Sequence, residues 1–312
     1  MDRRSFLLTP AVAAAAAQTS VAPNSPAGSA APAEAAPKLP TRPKVPGTLN
    51  LRARSRTPEQ VGGTGAIEKE LRWNVAQTAI IIIDMWDTHT CLCAAQRVAA
   101  MAIRMNPIVN AARTMGVQII HAPSDTMKYY EGTPWRTRME QAAYTAPPFR
   151  IGQTNRTPEE ARTFPINDGC DDPVPNRWKG PPPPTTSANV PWEREHPALQ
   201  ITGYDGISAD GQEIYNFLKQ EGITNVALMG VHANVCIMNR AFGCREMTRL
   251  GFNVVVVRDL IDAAYDPRKR PFVSSARGTE LVAEFIESHW CPSILSPDLT
   301  QIVTGTAGPA TA

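Results

Sequence analysis

Two short stretches carry residue types able to do covalent chemistry. The first is Thr78-Ala-Ile-Ile-Ile-Ile-Asp84, a β-branched apolar run that ends in a carboxylate. The second is Met229-Gly-Val-His-Ala-Asn-Val-Cys236, where a hydrophobic run turns through Gly230 and delivers a thiol near the start of a helical pattern. A helix start offers oriented N–H groups and a positive dipole end, which favour a thiolate. The same N–H groups suit an oxyanion. A carboxylate nearby can accept the thiol proton and pass it to a leaving group. Together these point to a cysteine nucleophile, Cys236, with Asp84 as its acid–base partner. The competing readings are a small buried hydrophobe for Cys236 and a solvated strand end for Asp84. Trp86 follows Asp84 by two residues, so strand alternation puts it on the same side and makes it a pocket candidate.

The elements that must position these residues alternate. Residues 78–84 read as a strand buried on both faces, 93–115 as a helix ended by Gly116, and 117–121 as a second strand. Further on come a helix at 211–221, a strand at 226–229, a helix at 233–250, a strand at 254–257, a helix at 276–288 and a short edge strand at 294–295. Strands alternating with helices predict an α/β fold with a mostly parallel sheet. Between residues 122 and 197 the pattern breaks, and Pro181–Pro184 is a run of four prolines. This Pro-rich insertion leaves the carboxyl end of a strand, where open α/β sheets place their ligand crevice. It is expected to cover or shape the pocket rather than contribute core.

The chain has 312 residues, with 43% hydrophobic and 19% charged, which suffices for a core and excludes wholesale disorder. Its net charge of +2 gives no electrostatic case for nucleic acid, and no apolar run is long enough to span a membrane. The N-terminus reads as an address. Arg3-Arg4, then Phe6, Leu7 and Leu8 and an Ala-rich run to Ala17, form a twin-arginine signal over residues 1–17. That predicts export to the periplasm or cell envelope. Residues 18–47, rich in Ala, Pro and Ser, predict a disordered linker, and 304–312 a disordered tail. The folded domain is expected over 48–303. Six cysteines are present without a zinc-type pair; an oxidising compartment permits disulfides, but the spacing does not say which.

The run ending Asp84-Met-Trp-Asp87, the block Gly222 to Cys236 and the segment Val254 to Asp259 resemble three motifs of the isochorismatase-like superfamily of cysteine hydrolases, which includes nicotinamidase-related amidases. The resemblance spans about 77–121 and 198–296. It implies a three-layer α/β/α, Rossmann-like fold with a mostly parallel six-stranded sheet, often assembled as homo-oligomers. It implies Cys236 as nucleophile, Asp84 as the proton-handling acid, a cis peptide between Val231 and His232, and an oxyanion hole made by the N–H groups of His232 and Cys236. The retained thiol favours acyl-type chemistry on a small amide or ureide, so the expected partner is a small-molecule substrate and no cofactor is called for.

Two positions depart from the family pattern. The catalytic lysine position falls at Gly203, with no lysine nearby; Lys128 is the candidate substitute, with His232 and Arg194 behind it. The nicotinamidase metal motif is missing after the second strand. Asp87-Thr88-His89 keeps ligand spacing after the first strand and can be completed by His232 or His196. Three readings follow: an exported cysteine hydrolase, a catalytically degenerate relative that binds a small molecule or protein, and a metal-dependent hydrolase.

Overall fold

The computed structural model describes residues 39–62, 65–174, 178–186 and 188–304. The twin-arginine signal, residues 18–38 of the expected linker and the tail from 305 lie outside them. Two strands absent from the sequence reading come first, an antiparallel hairpin of β1 (Gly47–Ser55) and β2 (Ile67–Asn74). Then come β3 (Thr78–Ile83), α1 (Leu92–Thr114) and β4 (Gln118–Ala122). The insertion carries α2 (Pro134–Glu140) and α3 (Pro158–Thr163). The chain continues through β5 (Gly206–Ile207), α4 (Gly211–Gln220), β6 (Asn225–Val231), α5 (Cys236–Asn239) and α6 (Cys244–Arg249). It ends with β7 (Asn253–Asp262), α7 (Ser275–His289), β8 (Ser293–Ile294) and β9 (Ile302–Thr304). No helix among the described residues is long and apolar enough to cross a membrane.

The sheet has nine strands in the order β2-β1-β8-β7-β6-β3-β4-β5, with β9 paired to β1. Against the six strands expected, the stretch from β8 to β5 supplies six parallel ones, and β1, β2 and β9 widen the sheet beyond that count with an antiparallel margin. Along β3, Ile80 and Ile82 pack on one face and Ala79, Ile81 and Ile83 on the other. That is why the run is apolar at every position rather than alternating. One face is covered by α1, whose Val98, Met101, Ala102, Met105 and Val109 recur at helical spacing. The other is covered by α4, α6 and α7 through Phe217, Met247 and Phe285. The result is a three-layer α/β/α fold.

In chain order the parallel strands read 3-2-1-4-5-6 across the sheet, so β3 and β6 are the neighbours from which the connections leave in opposite directions. The crevice beyond their carboxyl ends is the topological switch point of a doubly wound sheet. Gly230 lets β6 pass there: its φ is +116°, and a Cβ would stand 2.0 Å from the carbonyl oxygen of Ile83.

Three expectations need correction. The helix expected over 233–250 is two pieces, because Arg240 leaves helical geometry with ψ of 155°. Gly243 then passes so close to α5 that a Cβ would lie 2.7 Å from the carbonyl oxygen of Ile237. The linker expected to run to residue 47 is docked earlier. Arg42 is buried and donates to the carbonyls of Gly116 and Ala76, and Lys44 pairs with Glu221 at 2.6 Å. The insertion does contribute core: Met139, Ala142, Ile166 and Trp192 are buried in the same apolar cluster as α4 and α7. Its helices are short and separated by prolines, so no helical or strand period survives long enough to read.

Candidate active site

Asp84 is the first residue beyond β3 and sits at φ 51°, fully buried. This left-handed turn swings its carboxylate across the end of the sheet. Oδ1 accepts the backbone N–H of Ser124 at 2.7 Å, and Oδ2 accepts Arg240 Nε at 3.1 Å. The thiol of Cys236, at the first turn of α5, hydrogen-bonds the same carboxylate. The peptide between Val231 and His232 is cis, and the backbone of His232 makes a hydrogen bond to the sulfur that favours the thiolate. A thiol, a carboxylate and a guanidinium thus meet at the switch point, beside the turn that carries His232.

The electrostatics differ from a simple helix-start thiolate. Burial pushes the Cys236 thiol above its ordinary range, and the neighbouring Asp84 charge pushes it further. Burial likewise raises the Asp84 carboxyl, with Arg240, Cys236 and Ser124 pulling the other way. Burial works against the charge of Arg240, but Asp84 and Cys236 outweigh it and hold the guanidinium protonated. The resting site therefore keeps its proton on the pair, where desolvation disfavours two adjacent anions. A helix start favours a thiolate, but here burial and the adjacent Asp84 carboxylate outweigh that pull on the sulfur.

Arg240 is the residue that sequence reasoning missed. It lies four positions after Cys236, the spacing that brings side chains to one face of a helical turn. The three substitutes expected for the lysine do not supply the cation. Lys128 Nζ donates to the carbonyl of Pro184 at the surface. Arg194 reaches Tyr129 Oη at 3.1 Å. His232 is buried, and burial, then the charge fields of His89 and Arg97, lower its imidazole to about 3, so its side chain is neutral. Gly203, at φ 55°, faces open space.

Trp86 is buried in the apolar cluster that includes Cys236. Its Nε1 donates to the carbonyl of Ser124 at 2.9 Å, steadying the loop whose N–H holds Asp84. Trp86 also stacks on Trp192 of the insertion at 4.2 Å, Trp192 lies against His89, and His89 meets His232 at 5.0 Å. This wall ties the insertion to the crevice, as does a disulfide between Cys91 and Cys170.

The proposed metal ligands do not converge. Asp87 Oδ1 accepts the N–H of Glu193, and His89 Nδ1 accepts the N–H of Cys91. His196 Nδ1 accepts the N–H of Ala198. Among the described residues, the one cluster of three potential ligands is Cys91, Cys170 and Asp171, and its two thiols are spent in the disulfide.

A three-layer fold with a carboxylate and a guanidinium gathered around a buried thiol at the switch point defines a Rossmann-like α/β protein with a cysteine-centred crevice. The chain belongs to the isochorismatase family: residues 78–284 match the family described as the Isochorismatase domain. Members of this family are hydrolases. Among solved structures, the chain is similar to a cysteine hydrolase from Pseudomonas syringae pv. phaseolicola 1448A, with 15% identity, 73% of this chain and 92% of that one covered, and a TM-score of 0.46. It is also similar to an isochorismatase family protein from Burkholderia thailandensis, with 17% identity, coverage of 72% and 93%, and a TM-score of 0.40. An N-carbamoylsarcosine amidase from Thermoplasma acidophilum is similar at 12% identity, with coverage of 70% and 96% and a TM-score of 0.38. No curated protein matches the chain.

Proposed function

We propose that the protein is an exported cysteine hydrolase that cleaves a C–N bond of a small amide or ureide through a thioester on Cys236. The observation that carries this reading is the line Cys236–Asp84–Arg240, in which one buried carboxylate touches both a thiol and a guanidinium. Asp84 takes the thiol proton as sulfur attacks the carbonyl carbon. The N–H groups of His232 and Cys236 hold the oxyanion. As the C–N bond breaks, Asp84 gives the proton to the leaving nitrogen. Water then attacks the thioester, Asp84 handles its proton, and the acid departs with the thiol restored. Lys128 at the surface and open space at Gly203 are what the degenerate reading expects; the guanidinium of Arg240 against Asp84 supplies a cation from elsewhere, and this favours the enzyme. Export draws support from Arg3-Arg4 and from the Cys91–Cys170 disulfide, which suits an oxidising compartment.

The test is a panel of small amides and ureides, with released amine and the mass of the Cys236 peptide followed after acid quench. Wild type should release amine and show a transient acyl adduct on Cys236, and Cys236→Ala should do neither. Hydrolysis that survives in Cys236→Ala would sink the reading. For export, Arg3→Lys with Arg4→Lys should leave the full-length chain in the cytoplasm; export that continues unchanged removes the twin-arginine assignment.

A further inference from the structure

A cavity of about 240 Å³ is lined in part by His232, four residues before the nucleophile. It is smaller than the ~300–1,000 Å³ of pockets that take drug-sized ligands, so it suits a group of a few heavy atoms. Its walls come from two parts of the chain. The family fold supplies Ala94, Arg97, His232 and Ala264, and the insertion supplies Gly169 and Cys170, fixed in place by the bond to Cys91. His232 links the cavity to the chemistry, since its backbone hydrogen-bonds the Cys236 sulfur and the residue is part of the cavity wall. The Nε2 atom of its side chain is buried and has no hydrogen-bond partner. A buried polar atom without a partner is costly, and an occupant that hydrogen-bonds it removes the cost.

The charges around the cavity decide what kind of occupant fits. Arg97 is the one charged residue on its wall, and it is already held by Asp171 at 2.5 Å and Asp262 at 2.9 Å. His232 is neutral. His89 is neutral too, because burial, with the field of Arg97 adding to it, lowers its imidazole to about 4. His89 Nδ1 accepts the N–H of Cys91, which puts the proton of the neutral ring on Nε2. The wall therefore offers no free counter-ion to a carboxylate or an ammonium, and a buried unpaired charge would bear the full desolvation penalty.

We propose that this cavity is the specificity subsite, which receives a small uncharged substituent attached to the scissile carbonyl, and that His232 Nε2 reads a neutral hydrogen-bonding group on it. The phrase "attached to the scissile carbonyl" rests on the hydrolase reading; the binding of a small neutral group does not. Substrates with a carboxylate or an ammonium in that position are then poor ones, and the insertion and its disulfide act as a wall of the substrate site. A hydrophobic wall discriminates about 10–200-fold per methylene that it excludes, so adding carbon at Ala264 should close the subsite.

The experiment uses Cys236→Ala protein, which lacks the proposed nucleophile, and follows the His232 imidazole nitrogens by NMR. Propionamide, propionate and propylammonium are the probes, close in size and different in charge. Propionamide should shift the His232 signals saturably, while propionate and propylammonium at the same concentration leave them in place. Adding Ala264→Leu should weaken the propionamide response about tenfold or more, with the buried His121 signals unmoved as a control on the fold. His232 signals that ignore propionamide, or that answer the charged probes equally, overturn the proposal without need of the cavity variant. Because Cys236 is absent, a wild type that hydrolyses nothing would defeat the proposed function and still leave this subsite standing, and the converse holds.

Discussion

The parallel sheet holds two buried clusters of charge on adjacent strands, and they are built for different ends. On β4, His121 lies between Glu195, at 2.6 Å from Nδ1, and Asp205, at 3.3 Å from Nε2. Asp205 is closed off by Arg113 Nε at 2.8 Å and by the N–H of Thr202. The group joins the exit of the insertion to the segment before β5, with each acid answered by a cation. At the end of β3, Asp84 is buried as deeply and is also paired with an arginine. One of its partners, however, is a thiol whose proton can leave, and His232, four residues before that thiol, carries an unpartnered nitrogen and forms part of a cavity wall. Burial of charge is common to both clusters. What separates a reactive centre from a structural clasp is a transferable proton on a nucleophile, with open volume beside it.

The largest effect should come from isosteric removal of each carboxylate. Asp84→Asn keeps the acceptor for Ser124 but cannot take the Cys236 proton, so hydrolysis should fall on the order of 10⁴-fold with the fold retained. Asp205→Asn should do the reverse, costing about 3–5 kcal/mol by breaking a buried pair, read by urea unfolding, while kcat/KM of the folded fraction stays near wild type. Equal losses of activity from the two would erase the distinction.

Arg240 gives the next effect and sharpens the contrast within the site. Arg240→Met removes the charge that pulls the Asp84 carboxyl and the Cys236 thiol downward, so both should move further up. Alkylation of Cys236 by iodoacetamide, followed by peptide mass spectrometry, should already require a pH above the ~8.5 of a free thiol in wild type, and a still higher one in the variant. Hydrolysis should fall about 10²–10⁴-fold, the range associated with impaired proton transfer. Arg240→Lys should recover part of it, because the charge returns without the Nε geometry. An unchanged alkylation profile in Arg240→Met would show that the guanidinium does not act on the pair.

The legible part of this architecture was the part written in periodic or punctuated sequence. The apolar run ending at Asp84, the turn through Gly230 to Cys236 and the helices closed by Gly116, Gly222 and Gly251 all mark themselves, and together they place the two reacting groups at neighbouring strand ends. Three things were not legible. The β1–β2 hairpin alternates only through Leu49, Leu51 and Ala53 on one strand, while β2 faces solvent over Ile67–Glu70 and so lacks a buried stripe. The insertion folds by isolated anchors such as Met139, Trp192 and the bond from Cys170 to Cys91, and single anchors have no period. The cation at the site was sought where a lysine belongs, whereas Arg240 supplies it from the opposite flank of the nucleophile. Its spacing from Cys236 was visible; the break that ends α5 and turns its guanidinium toward Asp84 depends on the close passage at Gly243, a tertiary event.

The smallest of these effects tests the clasp itself, through pH. Burial alone would drive the proton off His121, but Glu195 and Asp205 outweigh it and raise the imidazole to about 9. The groups facing this ring from the elements around it are Glu195 and Asp205, with Arg113 behind Asp205 and the Tyr130 hydroxyl against the N–H of Glu195. In the unfolded chain a histidine titrates near ~6.5. A proton held more tightly when folded stabilises the fold fully below that value, and the contribution is lost as pH rises toward 9, a change on the order of 3 kcal/mol. His89 and His232, lowered to about 4 and about 3, act with the opposite sign: they cost stability as pH falls below ~6.5. Urea midpoints of wild type and His121→Gln should therefore lie furthest apart near pH 6 and converge by pH 9.5 or so, while both decline together on the acid side. Parallel curves from pH 6 to 9.5 would mean that His121 carries no extra proton, and the clasp would then be a set of neutral hydrogen bonds rather than the charged counterpart of the site on β3.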